Sequence, residues 1–148
     1  MPDVRTPRPE SGPARVLVVD DAYVVRSTMA RFLTEAGRFR VETARDPLDA
    51  APKLEAFRPD VLLLDIEMPN MDGITFLERL RSHSQLPVIM FSSVTPSGSK
   101  NAVRALALGA SEVICKPQTG LEAFVAAHGA DLCRLIRLFR DRRRHGLA

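Results

Sequence analysis

Asp60-Val-Leu-Leu-Leu-Asp65 is the stretch on which the fold turns: four consecutive apolar residues closed on both sides by an acid. So short and apolar a run reads as a strand covered on both faces, with the second acid marking where the chain leaves the interior. Working outward from it, the same arrangement recurs. Arg15-Val-Leu-Val-Val19 runs into Asp20-Asp21, Leu86 to Phe91 runs into Ser92-Ser93, and Ser111 to Cys115 runs into Lys116-Pro117. Phe39 to Thr43 alternates as a weaker strand.

Helical periods fill the intervals. Ala22 to Ala36 places Val25, Met29, Phe32 and Leu33 on one side and stops at Gly37, which is expected to cap it. Asp46-Pro47 supplies an N-cap and a proline at the first helical position, opening a helix towards Phe57 that Pro52 is expected to shorten or kink. Asp72 to Ser82, Ser97 to Leu108 (closed by Gly109) and Gly120 to Arg140 complete the set. Five strand-helix units in strict alternation predict an α/β fold of the flavodoxin-like, doubly wound kind: a five-stranded parallel sheet in the order 2-1-3-4-5 with helices on both faces. In such sheets ligands bind outside the carboxyl ends of the strands, near the switch between strands 1 and 3.

Composition agrees with one globular domain. The chain has 148 residues, 45% apolar and 26% charged, which excludes disordered, collagenous and disulfide-scaffold classes. No stretch of about 18 uncharged apolar residues occurs and the start of the chain is Pro-rich and polar, so a cytoplasmic protein with no membrane partner is expected. Cys115 and Cys133 form no CxxC pair and are expected to be buried, inert thiols, and three scattered histidines make no zinc site. The net charge of +3 first points to nucleic acid, but its location argues otherwise. Arg134 to His145 holds six arginines and one aspartate, whereas Arg15 to Cys133 holds 13 basic and 15 acidic residues. With no stacking aromatics in Arg140 to His145, the run reads as a solvated helix end and linker, and nucleic acid is not an expected partner.

The residues at the strand ends form a chemical set. Helix capping accounts for each acid singly, but not for three carboxylates brought to one sheet edge, which resist ionisation unless a cation sits among them. A hard divalent ion such as Mg²⁺, together with Lys116, would supply it. Asp65 is then the candidate nucleophile towards a phosphoryl donor, with Asp20 and Asp21 for the metal and Ser92 and Lys116 for the phosphoryl oxygens. A small Mg²⁺-dependent phosphohydrolase using Glu67 or Asp72 as acid or base is the reading from another class.

Val18-Val-Asp-Asp21, Leu64-Asp-Ile-Glu-Met-Pro-Asn-Met-Asp-Gly73, Pro87-Val-Ile-Met-Phe-Ser92, Gly109-Ala-Ser111 and Lys116-Pro117 resemble, in order and spacing, the receiver domain of two-component response regulators. The resemblance spans roughly Ala14 to Phe139, leaving residues 1–13 as a disordered leader and 140–148 as a basic tail or the start of a linker. It implies a phosphohistidine kinase as donor to Asp65, and Mg²⁺ held by Asp21, Asp65 and the backbone carbonyl of Glu67, with Asp20 helping through water. It also implies a cis peptide before Pro117 that brings Lys116 to the site. Ser92 would move towards the phosphoryl group while an aromatic on the last strand swings in behind it. Val113 stands at that aromatic's position and cannot make such a swing, so the change is expected mainly in the segment after Ser92.

Asp65 to Leu77, Met90 to Thr95 and Lys116 to Gly120 look, more narrowly, like the receiver half of the chemotaxis methylesterases. A chemotaxis-type histidine kinase and an attached or separate effector are then the implied partners. Since the chain ends about eight residues beyond the predicted last helix, it is expected to be either an excised regulatory half whose tail starts the linker to a hydrolase domain or, as the alternative, a stand-alone receiver in another pathway. Tyr23 reads as an exposed helix-start aromatic or a gate over the acids, and Met71 as a packing residue beside the acceptor loop.

Overall fold

The computed structural model describes residues 12–68, 71–92, 96–117 and 120–146. The leader expected over residues 1–13 lies outside these except for its last two residues, and the segment expected to respond after Ser92 lies partly outside them. Elements alternate as read from the sequence: β1 (Arg15–Val19), α1 (Tyr23–Glu35), β2 (Arg40–Ala44), α2 (Pro47–Phe57), β3 (Val61–Asp65), α3 (Gly73–Arg81), β4 (Val88–Ser92), α4 (Pro96–Ala107), β5 (Glu112–Cys115) and α5 (Leu121–Arg144). All pairings are parallel and the order is β2-β1-β3-β4-β5.

Strand alternation divides the core in two. Leu17, Leu62, Leu64 and Met90 face α2, α3 and α4, meeting Phe57, Ile74, Leu77 and Ala105. Val16, Val18, Leu63 and Ile89 face the other way onto Met29 and Leu33 of α1 and Leu132 and Ile136 of α5. Burial of both faces is why β1 and β3 read as unbroken apolar runs, whereas the edge strand β2 alternates. Asp46 and Asp72 cap their helices, accepting from the backbone N–H of Asp49 and Thr75 at 2.8 Å.

Four local expectations change. Gly37 does not supply a left-handed cap: α1 ends through right-handed Ala36, and the left-handed residue is Arg38 (φ 56°). Gly37 is needed for space instead, because a Cβ there would fall 2.5 Å from the Phe39 ring. Pro52 does not shorten α2, which runs to Phe57; the carbonyl it leaves without an i+4 donor belongs to Leu48, a residue 75% exposed and open to water. Cys115 is exposed, not buried, since it ends an edge strand that has cover on one side only; Cys133 is buried as expected. Lastly, α5 continues past Arg140 to Arg144, and the end of the arginine run is not solvated: Arg144 pairs with Asp60 at 2.9 Å, both side chains 4% exposed.

Candidate functional site

The parallel register carries the ends of β1, β3, β4 and β5 to one edge of the sheet. Asp20 and Asp21 follow β1, Asp65 and Ser92 are the last residues of β3 and β4, and Lys116 follows β5, its N–H bonding the Ser92 carbonyl at 2.6 Å. Asp20, Asp65 and Ser92 are buried, while Asp21 is exposed.

Lys116 binds two carboxylates at once. Its Nζ lies 2.9 Å from Asp20 Oδ2 and 3.2 Å from Asp65 Oδ2. Asp20 is fixed at its remaining polar atoms too: Oδ1 accepts from the Ala22 N–H at 2.8 Å, its own N–H reaches the Ala44 carbonyl, and its carbonyl accepts from Arg26 Nη1 at 2.7 Å. Asp65 Oδ1 accepts from the Glu67 N–H at 3.3 Å. Loss of water around Asp65, aided by the adjacent Asp20 charge, pushes its carboxyl up to about 7 against the pull of Lys116. For Lys116, burial works against the charged form, yet hydrogen bonds and charge from Asp20 and Asp65 win and hold the ammonium above its ordinary range. One lysine shared between two buried acids therefore leaves Asp65 under-neutralised.

Carboxylate oxygens of Asp20, Asp21 and Asp65 lie within 4.8 Å of one another. An all-oxygen donor set with spare negative charge fits a hard divalent cation and suits neither zinc nor a soft metal. Glu67 is exposed beside this group. Asp72 caps α3, its Oδ1 accepting from the Thr75 N–H at 2.8 Å.

The Lys116–Pro117 peptide is trans, and no cis peptide occurs among the described residues, correcting the cis bond that the resemblance implies. Trans is the lower-energy isomer even before proline, and the four-carbon stem of Lys116 spans the gap to both carboxylates from that backbone. Val113 pairs with Met90 and packs, half-buried, against the α2-α3-α4 side of the core, below the acidic edge. Tyr23 is 72% exposed and lies under the Arg26 guanidinium, 5.8 Å from its ring centroid; Met71 packs against the core as read.

Two positioning residues were not assigned from sequence. Arg26 holds the Asp20 carbonyl, and its only signal is a cation six residues after that acid. Gly73 lets α3 start directly against the end of β3: a Cβ there would lie 2.3 Å from the Asp65 carbonyl oxygen, and its N–H bonds the Ile66 carbonyl at 2.7 Å. A glycine after a helix cap was the available sign, but space rather than φ is what requires it.

Sheet order and acidic edge define the class of protein, a doubly wound domain whose site sits at the β1/β3 switch point, where ligands collect in such sheets. Residues 16–137 match the response regulator receiver domain family, and the chain belongs to it. A protein-glutamate methylesterase/protein-glutamine glutaminase of Geobacter metallireducens is 44% identical over 124 residues, covering 83% of this chain and 35% of the relative. The corresponding protein of Shigella boydii is 42% identical over 124 residues, covering 83% and 40%. The chain thus spans 35% to 40% of the length of these curated relatives. Among solved structures, the response regulator domain of Thermotoga maritima CheB superposes with a TM-score of 0.76 at 33% identity, covering 88% of this chain and 98% of that one. Vibrio cholerae chemotaxis protein CheY4 superposes with a TM-score of 0.65 at 32% identity, covering 80% and 98%. No helix among the described residues is long and apolar enough to cross a membrane.

Proposed function

We propose that Asp65 accepts a phosphoryl group from a phosphohistidine kinase of the chemotaxis type, in an Mg²⁺-dependent reaction in the cytoplasm. Phosphorylation then switches a methylesterase joined to this domain or acting as its partner. The observation that carries this reading is the bridge from Lys116 to both Asp20 and Asp65, with Asp21 completing the acidic trio. Likeness to the receiver portions of the methylesterases supports the effector named.

Asp20, Asp21, Asp65 and the Glu67 carbonyl would hold Mg²⁺, which supplies positive charge to the acceptor and to the phosphoryl oxygens. An ionised Asp65 oxygen attacks phosphorus, the P–N bond of the donor breaks, and the imidazole leaves with the electron pair. Lys116, now facing a dianionic group in place of a carboxylate, pairs with a phosphoryl oxygen, and the buried Ser92 hydroxyl donates to another. Val113 is β-branched and stiff, so displacement is concentrated in the segment after Ser92 instead of in an aromatic swing.

Incubation with acetyl phosphate and Mg²⁺ followed by intact-mass measurement tests the core of this. Wild type gains one phosphoryl adduct and Asp65→Asn gains none; absence of the adduct from wild type overturns the reading. Sustained turnover of small phosphate esters would point to a phosphohydrolase instead.

A further inference from the structure

The opposite edge of the sheet, where the strands begin, is built from arginine. At its centre Asp60 accepts from the Arg15 N–H at 2.8 Å and from Nε and Nη2 of Arg144 at 3.1 and 2.9 Å. Arg144 also reaches the carbonyls of Gly12 and Pro13 at 3.1 and 3.2 Å, which ties the end of α5 to the segment entering β1. The Asp60 carboxylate is committed to these partners, yet more arginine gathers round it. Arg58 ends α2, Arg81 ends α3 with its guanidinium on the Gly109 carbonyl, and Arg143 lies in the last turn of α5; all three are half-buried. Burial lowers Arg143, Asp60 only partly offsets it, and Arg58 adds to it; burial and Arg143 likewise lower Arg81.

A second observation is independent of charge. Among the described residues, the two non-glycine residues with a left-handed backbone are Arg38 (φ 56°) and Arg58 (φ 55°), both in connections at this same edge. Glycine or asparagine takes that conformation more cheaply, so local backbone preference does not account for arginine at either place.

We propose that Arg38, Arg58, Arg81 and Arg143 form a docking surface for an acidic segment of a partner protein, on the sheet edge opposite Asp65. Guanidinium forks match carboxylates in a bidentate manner. These four come from the α1–β2 connection and the ends of α2, α3 and α5, a spread along the edge that suits a run of carboxylates better than one phosphate. Nucleic acid fits less well, because no Phe, Tyr or Trp among the described residues is exposed at this edge as a stacking platform; the exposed one, Tyr23, lies at the far edge. The surface acts independently of the chemistry at Asp65.

Fluorescence anisotropy of labelled decaglutamate with the full chain tests the proposal, with folding followed by thermal melts. The triple variant Arg38→Gly/Arg58→Gly/Arg143→Gln should bind at least tenfold more weakly than wild type, and the melts report separately what losing the Arg58 side chain's own contacts costs the fold. A charge-matched control on exposed residues elsewhere, Arg31→Gln/Arg104→Gln/Arg134→Gln, should stay within twofold. Equal losses in both triples would reduce the effect to net charge and overturn the proposal. So would tighter binding of a 20-base-pair duplex or of phosphatidylserine vesicles than of decaglutamate, or no binding of decaglutamate by wild type at low salt. If the glycines unfold the chain, Arg143→Glu alone must still weaken binding.

Discussion

The two edges of the sheet are near mirror images in charge, and they solve the problem of a buried carboxylate in opposite ways. At the carboxyl edge, Asp20 and Asp65 share a single Lys116, and Asp65 is left favouring its protonated form up to about pH 7. At the amino edge, Asp60 alone faces Arg144 in a bidentate pair plus a backbone N–H. Too little positive charge makes the first site receptive to a cation; a satisfied pair makes the second a fastening. The two lie at the ends of the same strand, since Asp60 precedes β3 and Asp65 closes it, so Asp65 is anchored from behind by a contact that does not touch its carboxylate.

If that contrast is right, removing the carboxyl charge has opposite signs at the two ends of β3. Asp60→Asn should give the largest effect: it leaves the buried Arg144 guanidinium without its counter-charge and should cost about 3–5 kcal/mol in urea unfolding. A change below about 1 kcal/mol would show that the pair is not structural. Asp65→Asn should instead stabilise the protein, by about 2 kcal/mol at pH 8 in EDTA. The rise from 3.8 to about 7 sets an upper bound of about 4 kcal/mol, and the loss of one Lys116 partner offsets part of it. The pH dependence follows from the direction of the shift. The unfolded Asp65 loses its proton near pH 4 while the folded one keeps it to about 7. Between those values the native state binds more protons, so stability falls as pH rises. Wild type should therefore match or exceed Asp65→Asn near pH 4 and fall behind it by pH 8 in metal-free buffer; parallel curves would contradict the assignment.

The two edges also differ in how far they can be read from sequence. The carboxyl edge was legible because each candidate residue closes an apolar run, so Asp65, Ser92 and Lys116 are punctuated by the strands that carry them. The amino edge was not, because its central pair joins residues 84 positions apart and no local pattern announces it. Arg140 to Arg144 looks solvated along the chain, and only the packing of α5 shows that Arg144 returns to β3. The same limit explains Cys115, whose run is apolar enough for a core strand but whose place at the sheet's border is a matter of strand order. The isomer before Pro117 is likewise set by tertiary fit, which the dipeptide does not encode.

The smallest expected effect isolates what the cation needs from what the fold needs. Asp21 is the exposed member of the acidic trio, and among the described residues its side chain makes no hydrogen bond that the fold would lose. Asp21→Asn should therefore change unfolding free energy by less than about 0.5 kcal/mol in EDTA, the usual range for a surface substitution. Mg²⁺ should stabilise wild type by about 1.4 kcal/mol at ten times its dissociation constant, since it binds the folded state. In Asp21→Asn most of that increment should vanish, because one of the three converging carboxylates is gone. Urea titrations with and without Mg²⁺ separate the outcomes. Loss of stability in EDTA would make Asp21 a second fastening like Asp60, while an intact Mg²⁺ increment would place the ion on Asp20 and Asp65 alone.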